Sequence, residues 1–224
     1  MRGDPTFAVI NVAPHEVRRF GIMSVDADMR ITDFAEKPEQ SDSTLASMGI
    51  YVFNREFLLR RLEEDARDRA SSHDFGKNII PKMVDQDRVF AHPFKGYWVD
   101  VGTIQAYWET NLALLNWNPG LDLYDPRWVI HTRSEERPPA KFLPTAEVHN
   151  SLVSNGCIIT GTVINSVLSP GVQVERGAVV RDSVIMTDTI IGVGALVDKC
   201  VLDKEVTVLT EARVGMGNEN TPNE

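Results

Sequence analysis

Apolar and polar residues alternate over short distances in the first half of the chain. Four stretches show the apolar alternation of β-strands, and two carry apolar residues at helical spacing. The predicted strands are TFAVINVA, the two that flank an Asp-Ala-Asp turn in FGIMSVDADMRITDFAEKP, and SMGIYVFN, whereas the predicted helices are REFLLRRLEEDARDR and TIQAYWETNLALLNW. This mixture predicts an α/β domain over residues 1–118, although the usual opening strand, loop and helix are absent from it.

A different pattern begins near residue 150. Aliphatic residues recur six positions apart in four groups of three, and each group starts 16 or 17 residues after the previous one. The groups are Leu152, Ile158 and Ile164; Leu168, Val174 and Val180; Ile185, Ile191 and Val197; and Leu202, Val208 and Val214. Three short strands per turn, each with one inward aliphatic residue, predict a triangular parallel β-helix of about four coils over residues 146–224. A sandwich of short strands is the alternative, but six residues are too few for ordinary hairpins.

Residues 119–145 separate the two patterns. They contain five prolines among polar residues, namely Pro119, Pro126, Pro138, Pro139 and Pro144. Because proline is excluded from helix interiors and central strands, we expect a linker that follows a surface.

Composition and charge narrow the class of protein. The net charge of −9 argues against a protein that coats nucleic acid. The chain has no apolar run long enough for a membrane span or a signal peptide, so we expect a cytoplasmic protein. Its two cysteines and five histidines lack the spacing of a metal site, and Cys157 and Cys200 are expected to be buried thiols. No histidine lies among the coils beyond Asn150, although an acyltransferase of this repeat type needs one. Function should therefore lie before residue 119.

The stretch FAEKP ends a predicted strand with Glu36 and Lys37. We expect Pro38 to hold Lys37 in an extended conformation, because the residue before proline avoids the helical region. An ammonium group at this point can contact a phosphate, while the neighbouring carboxylate accepts hydrogen bonds from sugar hydroxyls. A solvent-exposed ion pair between Glu36 and Lys37 is the alternative interpretation.

The stretch YWVDVGT precedes a predicted helix. Asp100 either caps this helix or holds a divalent cation. Tyr97 and Trp98 either stack on a sugar ring or pack in a core.

Three other stretches carry small or polar candidates. Gly21 in FGIMSV and Gly49 in SMGIYVF either let a ligand approach the backbone or fit turns. Ser47 either donates to a ligand hydroxyl or is an ordinary strand residue. Asp74 in SSHDFGKNIIP is a candidate helix cap.

The order of these stretches, followed by the predicted β-helix, resembles bacterial glucose-1-phosphate adenylyltransferases (ADP-glucose pyrophosphorylases) over essentially the whole chain. EKP and DVGT are shared across sugar nucleotidyltransferases, whereas SSHDFGKNIIP and LDLYDPRWVIHTRSEERPPAKF point more narrowly to the ADP-glucose enzymes. The resemblance implies an α/β plus all-β fold. This fold is the C-terminal part of a Rossmann-like nucleotidyltransferase domain followed by a left-handed parallel β-helix of hexapeptide repeats.

The resemblance also implies a role for each matching residue. Glucose 1-phosphate would be bound by Gly21, Glu36, Lys37, Ser47 and Trp98, with Tyr97 also lining the sugar side. Lys37 would contact the phosphate, and Asp100 would be one of two aspartates that hold a catalytic Mg²⁺. In the implied reaction, the sugar phosphate attacks the α-phosphorus of ATP in line and expels pyrophosphate, which yields ADP-glucose for glycogen biosynthesis. A homotetramer that assembles through the β-helix under allosteric control is implied as well.

Two parts of the family pattern are missing from the 224 residues. They are the Gly-rich loop GGxGxRL, whose backbone N–H groups hold the triphosphate, and the second metal-binding aspartate. We therefore expect a chain that carries the sugar-phosphate side of the site and cannot complete adenylyl transfer alone. Two alternatives stay open, namely a non-catalytic regulatory or assembly subunit and a nucleotidyltransferase for another sugar 1-phosphate.

Overall fold

The computed structural model describes residues 4–117, 120–132 and 135–215. It contains two compact units, Met1–Gly96 and Tyr97–Glu224, each with its own hydrophobic core. The predicted boundaries at residues 118 and 224 and the first linker residue, Pro119, lie outside the described residues. Within the described ranges, the longest apolar helices fall short of what a bilayer span requires.

The first unit is built on a five-stranded sheet. Its strands are β1 (Thr6–Asn11), β2 (Gly21–Val25), β3 (Ile31–Glu36), β4 (Leu45–Val52) and β5 (Phe90–Pro93), in the order β3-β2-β4-β1-β5. Neighbouring strands are antiparallel except β1 and β5, which are parallel. Strands β1 to β4 confirm the four predicted strands, whereas β5 has no counterpart in the prediction.

Helical segments complete the first unit. They are a 3-10 helix (Pro14–Arg19), α1 (Arg55–Ala66), a π-helix (Phe75–Ile79) and α2 (Ile80–Gln86). Helix α1 begins where predicted, because the Asn54 side chain accepts from the N–H groups of Glu56 and Phe57. Its apolar stripe packs against a core that includes Phe7, Met23, Ile31, Ile80 and Met83.

The second unit begins with α3 (Ile104–Ala113). Thr103, not Asp100, is the N-cap of this helix, since the Thr103 hydroxyl accepts from the Ala106 N–H at 3.1 Å. The capping interpretation of Asp100 is therefore wrong. The helix is fastened to the β-helix by Trp108, whose Nε1 donates to the Asp182 carbonyl oxygen at 2.7 Å.

The remainder of the second unit is a left-handed parallel β-helix with three sheets of short strands. The first sheet contains β7 (Glu147–His149), β10 (Thr162–Ile164), β13 (Val179–Arg181), β16 (Leu196–Asp198) and β19 (Arg213–Val214). The second contains β8 (Leu152–Val153), β11 (Val167–Leu168), β14 (Val184–Ile185) and β17 (Val201–Leu202). The third contains β6 (Lys141–Phe142), β9 (Ile158–Ile159), β12 (Gln173–Val174), β15 (Ile190–Ile191) and β18 (Thr207–Val208).

The predicted inward positions are right for the second and third groups of aliphatic residues, which are all buried, and the fourth group packs against the same core. The prediction is wrong for the first group, because Ile158 is 40% and Ile164 is 38% exposed. The inward residues of that coil are Val153, Ile159 and Val163, which pair with the second group.

A short corner explains the error in the first coil. Three residues separate Ile159 from Val163, whereas five separate Val174 from Val180. Gly161 permits this corner, because a Cβ atom there would lie 2.5 Å from the carbonyl oxygens of Ala178 and Glu175. A fixed spacing of six cannot follow a coil that is two residues shorter.

Polar side chains connect successive coils at one corner. Asn150, Asn165, Asp182 and Lys199 occupy this corner with φ between 42° and 52°. The Asn150 amide donates to Asn165 at 2.9 Å, and the Asn165 amide donates to Asp182 at 2.5 Å. These bonds stabilise a left-handed backbone that residues other than glycine rarely adopt.

A serine ladder, formed by Ser151, Ser166 and Ser183, runs beside this corner. Each hydroxyl donates to the carbonyl oxygen two residues earlier in its own coil. Each also accepts a backbone N–H from the next coil, and Cys200 supplies the last of these N–H groups. Since Ser166 and Ser183 are fully buried, the ladder pairs polar groups that water cannot reach.

Arg137 fastens the proline-rich segment to the β-helix. Its guanidinium donates to Asp188 through Nη1 at 2.5 Å and Nη2 at 2.8 Å, and it also contacts Glu135. It passes over Gly171, where a Cβ atom would lie 2.0 Å from Nη1. Arg137 thus holds its part of the segment against the β-helix, and β6, which lies within the predicted linker, joins the edge of a sheet.

Candidate functional site

Glu36 lies at the end of β3 against two glycines. It pairs with Gly21 in the β2–β3 ladder, and a Cβ atom at Gly21 would lie 3.0 Å from Glu36 Oε2. A Cβ atom at Gly76 would lie only 2.6 Å from the same oxygen. Both positions therefore require glycine if the half-buried carboxylate is to keep its place.

Lys37 follows β3 directly, and its side chain is exposed. The expectation of an extended backbone at Lys37 is wrong, since its φ is +47°. The Lys37 N–H donates to the Phe20 carbonyl oxygen at 3.0 Å, which extends the β2–β3 ladder beyond Glu36. Within the described ranges, no ion pair joins Glu36 to Lys37, so the alternative of a surface ion pair is not supported.

A bulge in β4 brings Ser47 and Tyr51 together. Phe7 pairs with Tyr51 and Val9 with Ser47, so the single residue between them on β1 faces three residues of β4. Gly49, at the centre of the bulge, has φ +71°. In a regular strand, residues four apart are about 13 Å apart, but the hydroxyls of Ser47 and Tyr51 lie within 3.1 Å. The Ser47 hydroxyl also accepts the Gly49 N–H at 3.2 Å.

The Tyr51 phenol is electrostatically coupled to two carboxylates. Burial raises the pKa of Tyr51, the hydrogen bond with Ser47 partly opposes this, and the charges of Glu36 and Asp74 raise the pKa further. The phenol is therefore protonated at neutral pH and can donate a hydrogen bond. Its ring stacks on Phe75 at a centroid distance of 6.2 Å.

The turn Asp74–Gly76 also belongs to this cluster, although its sequence predicts only a helix cap and no ligand contact. The prediction that Asp74 caps a helix is confirmed, because Asp74 Oδ1 accepts the Lys77 N–H at 2.8 Å. The helix that it caps is a π-helix, a form that occurs frequently at functional sites. Glycine beside an aromatic residue in SSHDFGKNIIP is the sequence signal that could have drawn attention to Phe75 and Gly76.

The remaining predicted site residues belong to the second unit. Trp98 and Asp100 are half-buried in the irregular segment before α3, and the Asp100 carboxylate lies 3.2 Å from the position of a Cβ atom on Gly102. Tyr97 is 40% exposed, so its packing in a core is not found. The structure thus brings Gly21, Glu36 and Ser47 into one cluster with Tyr51 and the Asp74–Gly76 turn.

The described residues contain no group of three or more His, Cys, Asp or Glu side chains arranged to hold a metal ion. Mg²⁺ does not require such a group, because it usually keeps several waters and uses one or two carboxylates together with substrate phosphates. A single carboxylate such as Asp100 fits that donor set.

Comparisons with known proteins agree with this architecture. The family described as "Nucleotidyl transferase" matches residues 2–116, and the family described as "GlmU-like, C-terminal hexapeptide" matches residues 138–223. The chain therefore belongs to the nucleotidyl transferase family.

Within this family, the chain is similar to curated proteins named "Glucose-1-phosphate adenylyltransferase". It is 55% identical to the protein from Thermomicrobium roseum over 98% of this chain and 52% of that protein. It is 47% identical to the protein from Acetivibrio thermocellus over 99% of this chain and 52% of that protein, and 44% identical to the one from Desulforamulus reducens over 99% and 56%. The chain thus spans about half the length of the curated relatives that it matches.

Proposed function

We propose that this chain supplies the sugar-phosphate side of a glucose-1-phosphate adenylyltransferase, which makes ADP-glucose and pyrophosphate from ATP and glucose 1-phosphate. The observation that carries the proposal is the cluster around Glu36, whose carboxylate lies against two glycines near Tyr51, the hydrogen-bond partner of Ser47. The names of the relatives supply the substrate class.

Each group in the cluster suits one part of glucose 1-phosphate. The Glu36 carboxylate accepts hydrogen bonds from sugar hydroxyls, and the Ser47 and Tyr51 hydroxyls can donate or accept. Lys37 carries an exposed ammonium on a backbone in the left-handed region. Such backbone strain is concentrated at ligand sites, and the ammonium would neutralise charge on the phosphate.

The reaction requires little covalent work from the protein. An oxygen of the sugar phosphate forms a bond to the α-phosphorus of ATP while the bond to pyrophosphate breaks. Positioning and charge neutralisation are therefore the main contributions of the site. When bound, Mg²⁺ would neutralise phosphate charge, and Asp100 is the residue that would hold it. Trp98 would contact the sugar.

The first test is calorimetric titration of glucose 1-phosphate into the chain and into three variants. Lys37→Ala should abolish measurable binding, and Tyr51→Phe should weaken it about threefold to tenfold, as expected for one lost hydrogen bond. Lys204→Ala, which removes an exposed lysine from the β-helix, should bind normally. Failure of the unsubstituted chain to bind the sugar phosphate would contradict the proposal.

A second test concerns turnover. The prediction that this chain does not complete adenylyl transfer alone requires that no pyrophosphate is released from ATP and glucose 1-phosphate with Mg²⁺. Turnover at ordinary enzyme rates, on the order of 1–1,000 per second, would contradict it.

The same proposal divides the chain into a partial catalytic domain over residues 1–118, a linker over 119–145 and a β-helix over 146–224. It also includes a cytoplasmic location and a homotetramer formed through the β-helix.

A further inference from the structure

Asp65 is a charged side chain buried near the end of α1, with only 5% of its side chain exposed. The Ser71 hydroxyl donates to its Oδ1 at 2.7 Å, and His73 Nδ1 lies 2.7 Å from its Oδ2. The His73 N–H in turn donates to the Ser71 hydroxyl at 3.0 Å. Three residues within positions 65–73 thus form a closed hydrogen-bonded ring around one carboxylate.

The neighbouring charges are engaged elsewhere. Asp65 borders a cavity of about 210 Å³ together with Arg61, Glu64, Asp68 and Lys82. Lys82 donates to Asp68 at 2.7 Å, whereas Arg61 contacts Glu64 and Asp87, both at 2.6 Å. Ser71 and His73 are therefore the groups that hold the Asp65 carboxylate by direct hydrogen bonds.

The hydrogen-bonded ring lies directly before the turn that contacts Glu36. His73 has φ +59°, in the left-handed region, and the next residue is the cap of the π-helix. Gly76, two residues further, is the glycine against which the Glu36 carboxylate lies. A change at His73 therefore reaches Glu36 through a continuous set of contacts.

We propose that His73 is a positioning residue for the glucose 1-phosphate site. Its bond to Asp65 fixes the turn from Ser71 to Gly76, and the Gly76 backbone limits the space that the Glu36 carboxylate can occupy. This role in binding rests on the proposed function, whereas the positioning itself does not.

The test compares variants of the full chain by two measurements. The first is the pair of backbone amide resonances of Glu36 and Gly76 in the ligand-free protein, and the second is glucose 1-phosphate affinity by calorimetry. His73→Ala should shift both resonances and weaken binding about tenfold, since small misplacements at a site are costly. His73→Asn should keep the affinity within about threefold, because asparagine tolerates the left-handed region and its amide can donate to Asp65. His15→Ala, an exposed histidine of the 3-10 helix, is the matched control and should change neither measurement.

Unchanged Glu36 and Gly76 resonances in His73→Ala would overturn the proposal, and so would normal affinity in that variant when the unsubstituted chain binds. If His73→Ala does not fold, Ser71→Ala replaces it, with the same expected shifts and the same result against the proposal. If the unsubstituted chain does not bind glucose 1-phosphate, the proposed function fails, and the resonances alone decide whether His73 positions Glu36.

Discussion

Replacing Gly76 by alanine should separate ligand binding from stability. The added Cβ atom would lie 2.6 Å from Glu36 Oε2 and 2.9 Å from its Cδ. Because ordinary contacts are about 3.5 Å, the carboxylate must retreat by roughly 1 Å. The end of a flexible side chain can move at little cost, and alanine is favoured over glycine within helices by about 0.5–1 kcal/mol.

We therefore expect Gly76→Ala to keep or slightly raise the melting temperature while it weakens glucose 1-phosphate binding. A misplacement of about 1 Å can cost up to about a hundredfold, so we expect a loss of tenfold to a hundredfold, or about 1.4–2.8 kcal/mol. Calorimetric titration and thermal unfolding of the same samples measure the two effects. Gly21→Ala provides the contrast. A Cβ atom at Gly21 would lie 3.0 Å from Glu36 Oε2 and 2.6 Å from the Phe34 ring, so this substitution should lower both affinity and stability.

Two controls make the result interpretable. Asp85→Ala, at an exposed position of α2, adds a helix-favouring residue away from Glu36 and should leave binding unchanged. Glu36→Ala should abolish the contact that Gly76→Ala disturbs. The reasoning is refuted if Gly76→Ala binds like the unsubstituted chain while Glu36→Ala does not bind.

The other predictions concern stability. Ser166→Ala should cost about 1–3 kcal/mol in chemical unfolding, because it leaves a buried N–H of Ser183 unpaired; an unchanged unfolding midpoint would contradict the ladder. Arg137→Ala should lower the urea midpoint of the second unit, and more so at low salt, whereas Arg127→Ala, which removes an arginine paired only with a residue two positions away, should not. Hydrogen bonds from Ser71 and then His73 hold the pKa of Asp65 below its usual 3.8. The stabilisation of the fold by the ionised carboxylate is therefore fully present above pH 3.8, and it is lost as pH falls through the lowered pKa. Urea unfolding across acid pH should therefore show a shallower decline for Asp65→Asn, and equal slopes would contradict this.

Much of the fold could be predicted from the sequence because its causes are local. Strand alternation and the cap at Asn54 are encoded within a few residues, and three of four aliphatic groups were placed correctly because their coils repeat every 17 residues. The prediction failed for the first group because the corner at Gly161 is shorter. This corner lies against two carbonyl oxygens of the next coil, and a contact between coils is not encoded within a few residues.

The site was harder to predict, because non-local contacts form it. Gly76 lies 40 positions after Glu36, and the two meet only in the folded unit. Lys37 adopts a left-handed backbone although Pro38 favours an extended one, and its N–H bonds to Phe20, which lies 17 positions earlier. Tyr51 joins Ser47 through a bulge that alternation alone cannot show. Residue type singled out Glu36, Lys37 and Gly21 as candidates, but not Gly76, which lies against the Glu36 carboxylate.

The repeating architecture of the second unit bears on how it folds. Each strand of the β-helix pairs with strands 15 or 17 residues away, so its contacts, although they form parallel sheets, close only short loops. Short loops are entropically cheap to close, and a coil that has formed offers a template to the next. Folding should therefore propagate coil by coil, with rates typical of low contact order and not of the long crossovers that parallel sheets usually require. Because each coil contacts only its neighbours, the effect of a substitution should also stay local. A coil weakened by substitution should open together with its immediate neighbours, and amide exchange in distant coils should stay slow.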